Sequence, residues 1–130
     1  MPFEIGGLDI TCIAENDLRA KQYHFVEITG TANGATQVDV CDGAGDIPFG
    51  ILQNKPNAGE EAVVRVTGVS RLIADDTSCA IGAEVGTSGD GQGVAKVNNK
   101  DIIRGIVVEA AAAAGDRASV LLIGPSRASL

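Results

Sequence analysis

The stretch from Asp46 to Arg71 occurs twice in this 130-residue chain, and the repeat narrows the folds open to it. Asp46-Ile-Pro-Phe-Gly-Ile-Leu, a link, and Gly59-Glu-Glu-Ala-Val-Val-Arg-Val-Thr-Gly-Val-Ser-Arg71 return as Asp101-Ile-Ile-Arg-Gly-Ile-Val, a link one residue longer, and Gly115-Asp-Arg-Ala-Ser-Val-Leu-Leu-Ile-Gly-Pro-Ser-Arg127. Eleven of the 26 paired positions are identical, among them Gly50/Gly105, Ile51/Ile106, Ala58/Ala113, Gly59/Gly115, Ala62/Ala118 and Val64/Val120. Such order with a single gap means two copies of one supersecondary unit, residues 46–71 and 101–127.

In each copy a run of branched apolar residues leads into a turn, and a second run begins just after a Gly followed by an acid. Turn chemistry between two β-prone runs predicts a strand pair. In the first copy Ala62, Val64 and Val66 fall on one face and Val63, Arg65 and Thr67 on the other, as a half-buried strand requires. In the second copy Leu121 and Ile123 make the opposite face apolar too. That predicts a strand covered on both sides, by the fold or by a neighbouring subunit.

A chain of this length builds one core. With 3% aromatic residues and no Trp, that core is made of Val, Ile, Leu and Ala, and 17 glycines among short apolar runs favour many turns. The expected fold is therefore all-β: a small barrel or β-tulip-like domain of hairpins with an internal repeat and at most a helical turn or two. No apolar run approaches the ~20 residues of a membrane span, and the start does not read as a secretory signal. A formal net charge of -7, with ten basic residues scattered along the sequence, argues against a nucleic-acid partner. Cys12, Cys41 and Cys79 are odd in number and far apart, which suits a reducing compartment and shows neither a disulfide framework nor metal spacing.

Along the chain, residues 1–20 differ from the rest. Pro2, Phe3, Ile5, Leu8, Ile10 and Ile13 are large apolar groups interrupted by Pro2 and Gly6-Gly7, which suits an extended arm lying on another surface. The same composition suits a terminal strand docked on its own domain. Ala14 to Gln22 has room for one helical turn. Tyr23–Thr29 and Thr36–Cys41 flank Asn33-Gly34 as a hairpin, and Ala83–Thr87 with Gly93–Val97 form another around Ser88–Gln92. Arg71–Ala74 reads as a short strand. The five alanines from Ala110 are held to about a turn, because so short a run is marginal as a helix and its counterpart contains Pro56. A single β domain is thus expected over 21–125, followed by a frayed tail at 126–130.

Chemistry has little to stand on. His24, the one histidine, lies in a predicted strand, and no spacing brings a cysteine to it. The cysteines read as small buried hydrophobes. Asp39, Asp42 and Asp46 lack the alternation, central Gly and closing Glu of a calcium loop and read as turn carboxylates. Gly86–Gly93 lacks the Gly-Lys-Ser/Thr ending of a phosphate loop. No catalytic residue, metal site or cofactor is expected.

Three segments carry a resemblance. Asp17–Val26, Gly50–Glu60 with Val66–Ser70, and Gly105–Asp116 with Val120–Leu122 resemble the capsid cement (head decoration) proteins of tailed bacteriophages and prophages. The likeness covers about residues 14–123 and lies in structural glycines and apolar strands. It implies a non-enzymatic virion protein, made in the host cytoplasm, that binds the outer surface of the expanded shell through the major capsid protein and reinforces it. It also implies a homotrimer of small β-barrel or β-tulip subunits with an N-terminal arm on the shell, so that Pro2, Phe3, Ile5, Leu8, Ile10 and Ile13 would be the capsid contacts. The rival from another class is a small β-barrel that binds a ligand or receptor, such as a head fibre base; its mark would be a pocket with converging polar groups.

Overall fold

A computed structural model describes residues 4, 6–98 and 101–127, and every regular element among them is a strand. In chain order these are β1 (Asp9–Ala14), β2 (Phe25–Ala32), β3 (Ala35–Val40), β4 (Gly50–Leu52), β5 (Glu61–Arg65), β6 (Gly68–Ile73), β7 (Glu84–Thr87), β8 (Gly93–Ala95), β9 (Ile102–Glu109) and β10 (Arg117–Arg127). The first five close into a barrel, β1-β3-β2-β4-β5, and the last five form a sheet in the order β6-β10-β9-β7-β8. Both predicted hairpins form. Asn33 and Gly34 take φ of 52° and 78°, the two positive values of a tight turn whose twist matches the β2–β3 pair.

The repeat read from residues 46–71 and 101–127 extends over almost the whole chain. Written as a ring, the barrel runs β1-β5-β4-β2-β3; adding five to each number gives β6-β10-β9-β7-β8, the order of the second sheet. Registers agree as well as orders. Ile51 faces Arg65 and Leu52 faces Val64, while in the second half Ile106 faces Leu121 and Val107 faces Val120. Ile13 faces Glu61 and Cys12 faces Ala62, while Ile73 faces Arg117 and Leu72 faces Ala118. Connecting hydrogen bonds repeat: the Gly59 N–H donates to Ala14 O at 2.8 Å, and the Gly115 N–H to Ala74 O at 2.8 Å. By these bonds Asn57 corresponds to Ala113, so Ala58 matches Ala114 rather than Ala113 and the extra residue sits earlier in the link.

Close strand approach explains one identical pair. A Cβ on Gly50 would lie 2.4 Å from Arg65 O, and one on Gly105 would lie 2.3 Å from Val120 Cγ1 and 3.0 Å from Leu121 O. Any larger residue at either place would push the hairpin apart.

Each half has its own interior. Cys12, Ala14, Val26, Val38, Leu52 and Val64 fill the first; Leu72, Ala74, Val85, Val107, Ala118 and Val120 fill the second. Phe25, Cys41 and Ile51 point the other way from their strand neighbours and join the second core, so the outer face of β2 and β4 is the seam. Full burial of Phe25 and Ile51 contributes about 2 to 3 kcal/mol each to holding the halves together.

Three expectations need correcting, on the arm, the tail and the basic residues, and one stands open to a partner. Residues 9–14, placed in an arm, form β1, which pairs with β3 and β5 and buries Cys12 and Ala14. The domain therefore begins before residue 20, because the alternation of Ile10, Cys12 and Ala14 matches a barrel strand better than a free arm. Ser126 and Arg127, placed in the tail, pair with Ile103 and Ile102. On the outer face of β10 Ser119 is buried and Leu121 is 39% exposed, so this chain by itself covers that face in part, the other cover expected of it being a neighbouring subunit. The scattered basic residues converge in part: Arg117 stands 5.2 Å and Arg71 6.0 Å from the centre of the Tyr23 ring, and Arg19, Lys55 and Arg117 line one hollow of about 290 Å³ beside it.

Candidate functional site

An open cleft of about 650 Å³ lies where β2, the turn before β4 and β9 meet. Its walls are Ile28, Ile47, Pro48, Phe49 and Val66, with Glu27 and Asp46 on one side and Arg104 among the lining groups. Two of the wall residues are unusually bare for isoleucine: Ile28 is 52% and Ile47 57% exposed. Scattered exposed apolar residues are ordinary, but a pair facing one cleft is the mark of a contact surface.

Asp46 arrives at the cleft as a turn carboxylate, as its sequence setting predicts. Its Oδ2 accepts the N–H groups of Asp42 at 3.1 Å and Gly43 at 2.9 Å. The duplicate turn does the same, with the Asn98 N–H on Asp101 Oδ2 at 2.9 Å. Only the first half adds a second acid. Glu27 on β2 stands against Asp46, and a proton on Glu27 lets the two carboxyls hydrogen-bond to each other. That bond, burial, and the charges of Asp46 and Asp42 push Glu27 up to about 7. Asp46 is held below its usual range by the Glu27 hydrogen bond and the backbone N–H groups. Glu27 Oε2 is buried with no hydrogen-bond donor beside it among the described residues.

Cys41 completes this cluster, and one donor atom from each of Glu27, Cys41 and Asp46 lies within 4.8 Å of the others. Burial pushes the Cys41 thiol far up, so it enters as S–H rather than as a thiolate ligand. Two carboxyls sharing a proton and a protonated thiol make a poor metal cage; structural zinc takes four ligands with any thiol deprotonated. The trio is best understood as a polar cluster at the edge of a contact surface.

Arg104 fixes the cleft from behind. It is 4% exposed, and its guanidinium donates to Pro48 O at 3.2 Å, Phe49 O at 3.0 Å, Val66 O at 2.9 Å and to Ile123 O. Three of those carbonyls belong to the first half and one to the second, so a single side chain ties the halves. Burial lowers its proton affinity, and four carbonyl dipoles stand in for a counter-ion. An arginine inside the apolar run Ile102-Ile103-Arg104-Gly-Ile106 is the signal by which the sequence flags it. Glu27 carries no comparable flag, since its partner is 19 positions away.

The residues expected to contact a capsid divide. Pro2, Phe3 and Ile5 lie outside the described residues. Leu8 is 54% exposed and is pinned by its N–H to Thr67 Oγ1 at 2.7 Å and by Val66 N–H donating to its carbonyl at 2.9 Å. Ile10 and Ile13 are half-buried members of β1; Ile10 packs on the first core, while Ile13 lies on the opposite face of the strand. Glu4 reaches Arg65 at 3.5 Å and Arg71 at 3.7 Å, anchoring the chain just ahead of β1.

His24 is buried with Nδ1 3.1 Å from Gln22 O, and burial lowers its proton affinity. The Cys12 and Cys79 thiols lie against the carbonyls of Ile10 and Gly93, and burial pushes Cys79 up to about 11. These groups are packed as small core residues, in line with the sequence reading.

The decisive comparison is with a family model: that of the phage cement protein matches residues 6–122. The chain belongs to the phage cement protein family. As such it is a virion component that associates with the capsid, decorating and stabilising it. The fold of this cement protein also resembles a solved structure, the head fiber gp8.5 N base in bacteriophage phi29, with a TM-score of 0.70 at 17% identity over 95% of this chain and 97% of that one. At that identity the likeness speaks for the fold. No curated protein matches the chain.

Proposed function

We propose that this cement protein binds the outer surface of the expanded shell as a homotrimer, that the major capsid protein is its partner, and that it catalyses no reaction. The family match over residues 6–122 carries the reading. Its surface chemistry supports it: bare isoleucines at one cleft, an exposed Leu8 ahead of the barrel, and an uncovered Leu121 on β10 offer apolar contacts for a shell and for sister subunits. Many such copies on one lattice make modest contacts collectively strong, because linked subunits rebind locally. The segment before β1 is proposed to lie on the shell, with Leu8 as its last contact.

The test is addition of the purified protein to expanded shells lacking it. Saturable decoration seen by electron microscopy, with raised resistance of the shell to heat, is expected; full-length protein that leaves shells bare would end the reading. Light scattering tests the trimer, and a mass near that of one subunit, 13.2 kDa, would refute it. Removing residues 2–7 is expected to leave the barrel folded and weaken decoration, whereas removal through Ile13 takes away β1 and opens the barrel. A second reading, a base on which another head component is mounted, draws on the structural likeness alone, and would show as a further protein bound to the decorated shell.

A further inference from the structure

We propose that the cleft beside β2 receives an arginine or lysine side chain of the shell protein, its aliphatic stem along Ile28, Ile47 and Phe49 and its cationic head on Glu27 and Asp46. The inference rests on the capsid-docking reading above. Two observations lead to it. The walls are apolar and bare, with Ile28 and Ile47 more than half exposed. Two acids, Glu27 and Asp46, line the same cleft, and among the described residues no basic side chain donates a hydrogen bond to either; Asp46 Oδ2 accepts only from the backbone of the turn it caps, and Glu27 Oε2 has no donor. A long side chain with an apolar stem and a cationic tip fits such a wall and such an end together.

The charged and titratable groups around Glu27 make the site selective for a cation. From the turn before β4 come Asp46 and Asp42, and from the end of β3 the neutral Cys41 thiol. The Arg104 guanidinium from β9 is spent on four carbonyls, and Lys96, beyond β8, places its Nζ on Ala44 O at 3.0 Å. With Glu27 ionised, the two carboxylates outweigh the one cation in the cleft lining. The duplicate half shows the contrast. Gly86 stands where Glu27 does, and a Cβ there would lie 2.2 Å from Ile102 O and 3.0 Å from the Lys96 stem, so that half has no room for a second acid beside Asp101.

Docking a cation then requires Glu27 to give up the proton it shares with Asp46, and that proton passes to the solvent. Binding should strengthen as pH rises through neutrality and release a proton where Glu27 was protonated.

The experiment pairs wild type with Glu27→Gln, whose amide still donates to Asp46 and so keeps the turn. N-acetyl-arginine amide is titrated against each while the Ile28 and Ile47 methyls and the Glu27 carboxyl carbon are followed by NMR. Wild type is expected to show saturable methyl shifts above neutrality and a lowered Glu27 midpoint, and Glu27→Gln none; wild-type methyls that do not move overturn the cleft. In parallel both proteins are added to expanded shells. Decoration about tenfold weaker for Glu27→Gln, and no longer dependent on pH, supports the proposal. Equal decoration with the same pH profile overturns it and leaves the capsid reading standing, whereas shells left bare by wild type overturn that reading and the shell as occupant, even if the amide binds. If Glu27→Gln decorates normally but falls apart in light scattering, the occupant is a second copy and the shell assignment is wrong.

Discussion

The two halves of this cement protein share strand order, hairpin register and connecting hydrogen bonds, yet they solve the same packing problem with different residues. In the first, Cys12 and Val38 occupy matched places on β1 and β3; in the second, Leu72 and Gly93 do, and a Cβ on Gly93 would come within 2.4 Å of Leu72 Cδ2. A large residue has moved from one strand to the other at near-constant volume, which a close-packed interior tolerates better than a net change. The halves also close differently. β1 and β3 pair in parallel at Ile13↔Gln37 and Ala14↔Val38, while the second sheet has only the Ala74↔Gly93 bridge at that place. Duplication fixed the plan; divergence made one half the face with the cleft and the other its support.

Decoupling the halves should have the largest effect. Arg104→Met leaves the carbonyls of Pro48, Phe49, Val66 and Ile123 without their donor inside the seam. We expect a loss of about 3 kcal/mol or more by urea denaturation, with the transition broadening or splitting if the halves then unfold separately. A loss below about 1 kcal/mol would mean that the apolar seam of Phe25 and Ile51 suffices alone.

Swapping the packing solution is a sharper test. Gly93→Val alone should cost about 1 to 3 kcal/mol through overpacking, and Leu72→Cys alone about 2 to 4 through the space it empties. Together they install the pair found in the first half, so the double variant should recover more than half of the summed loss. Additive losses would show that the two interiors are not interchangeable.

A smaller effect separates Tyr23 from its counterpart. Tyr23 has φ 64° and Gly82, at the same place in the second half, has φ 80°. A bulky residue there carries about 1 to 2 kcal/mol of strain, offset by the contact of its ring with Arg117 and Arg71. Tyr23→Ala keeps the strain and loses the ring, so it should be less stable than Tyr23→Gly by about 1 kcal/mol, a reversal of the usual order. Thermal unfolding of the two variants decides this.

The smallest effect is on pH. Glu27 is raised in the folded protein to about 7 from 4.5, so its contribution is fully present below the unfolded value and fades as pH rises from there through neutrality. Asp46 is lowered and acts in the opposite sense, its contribution failing only as pH falls below the usual aspartate range. Stability of the isolated protein should therefore decline slightly from mildly acidic to mildly alkaline conditions, and Glu27→Gln should flatten that slope. An unchanged slope in the variant would place the titrating group elsewhere.

Much of this was open to inspection in the chain. The alternation of Ala62, Val64 and Val66, the Asn33-Gly34 turn and the doubled Gly50 and Gly105 announce hairpins, because strand period and turn chemistry are local. At β1 the local signals conflict: Pro2 and Gly6-Gly7 speak for an irregular arm, while the alternation of Ile10, Cys12 and Ala14 suits the docked terminal strand that the structure shows. The copies of β1 to β3 in β6 to β8 were invisible to residue matching, since Tyr23 became Gly82 and Val38 became Gly93 while the hydrogen bonds persisted. The cleft was illegible for a different reason. Glu27, Asp46 and Arg104 come from three separate strand or turn segments, and no spacing rule connects them.

The residues by themselves dictated an all-β, glycine-punctuated, duplicated chain, since β periodicity, turn preference and close strand approach are written within a few neighbours. Only the folded molecule decided that the first copy closes into a barrel, that its outer face becomes the seam, and that an acid pair ends up beside bare isoleucines. Those outcomes depend on which distant side chains the closure brings within a few ångströms of one another, and sequence separation carries no record of that distance.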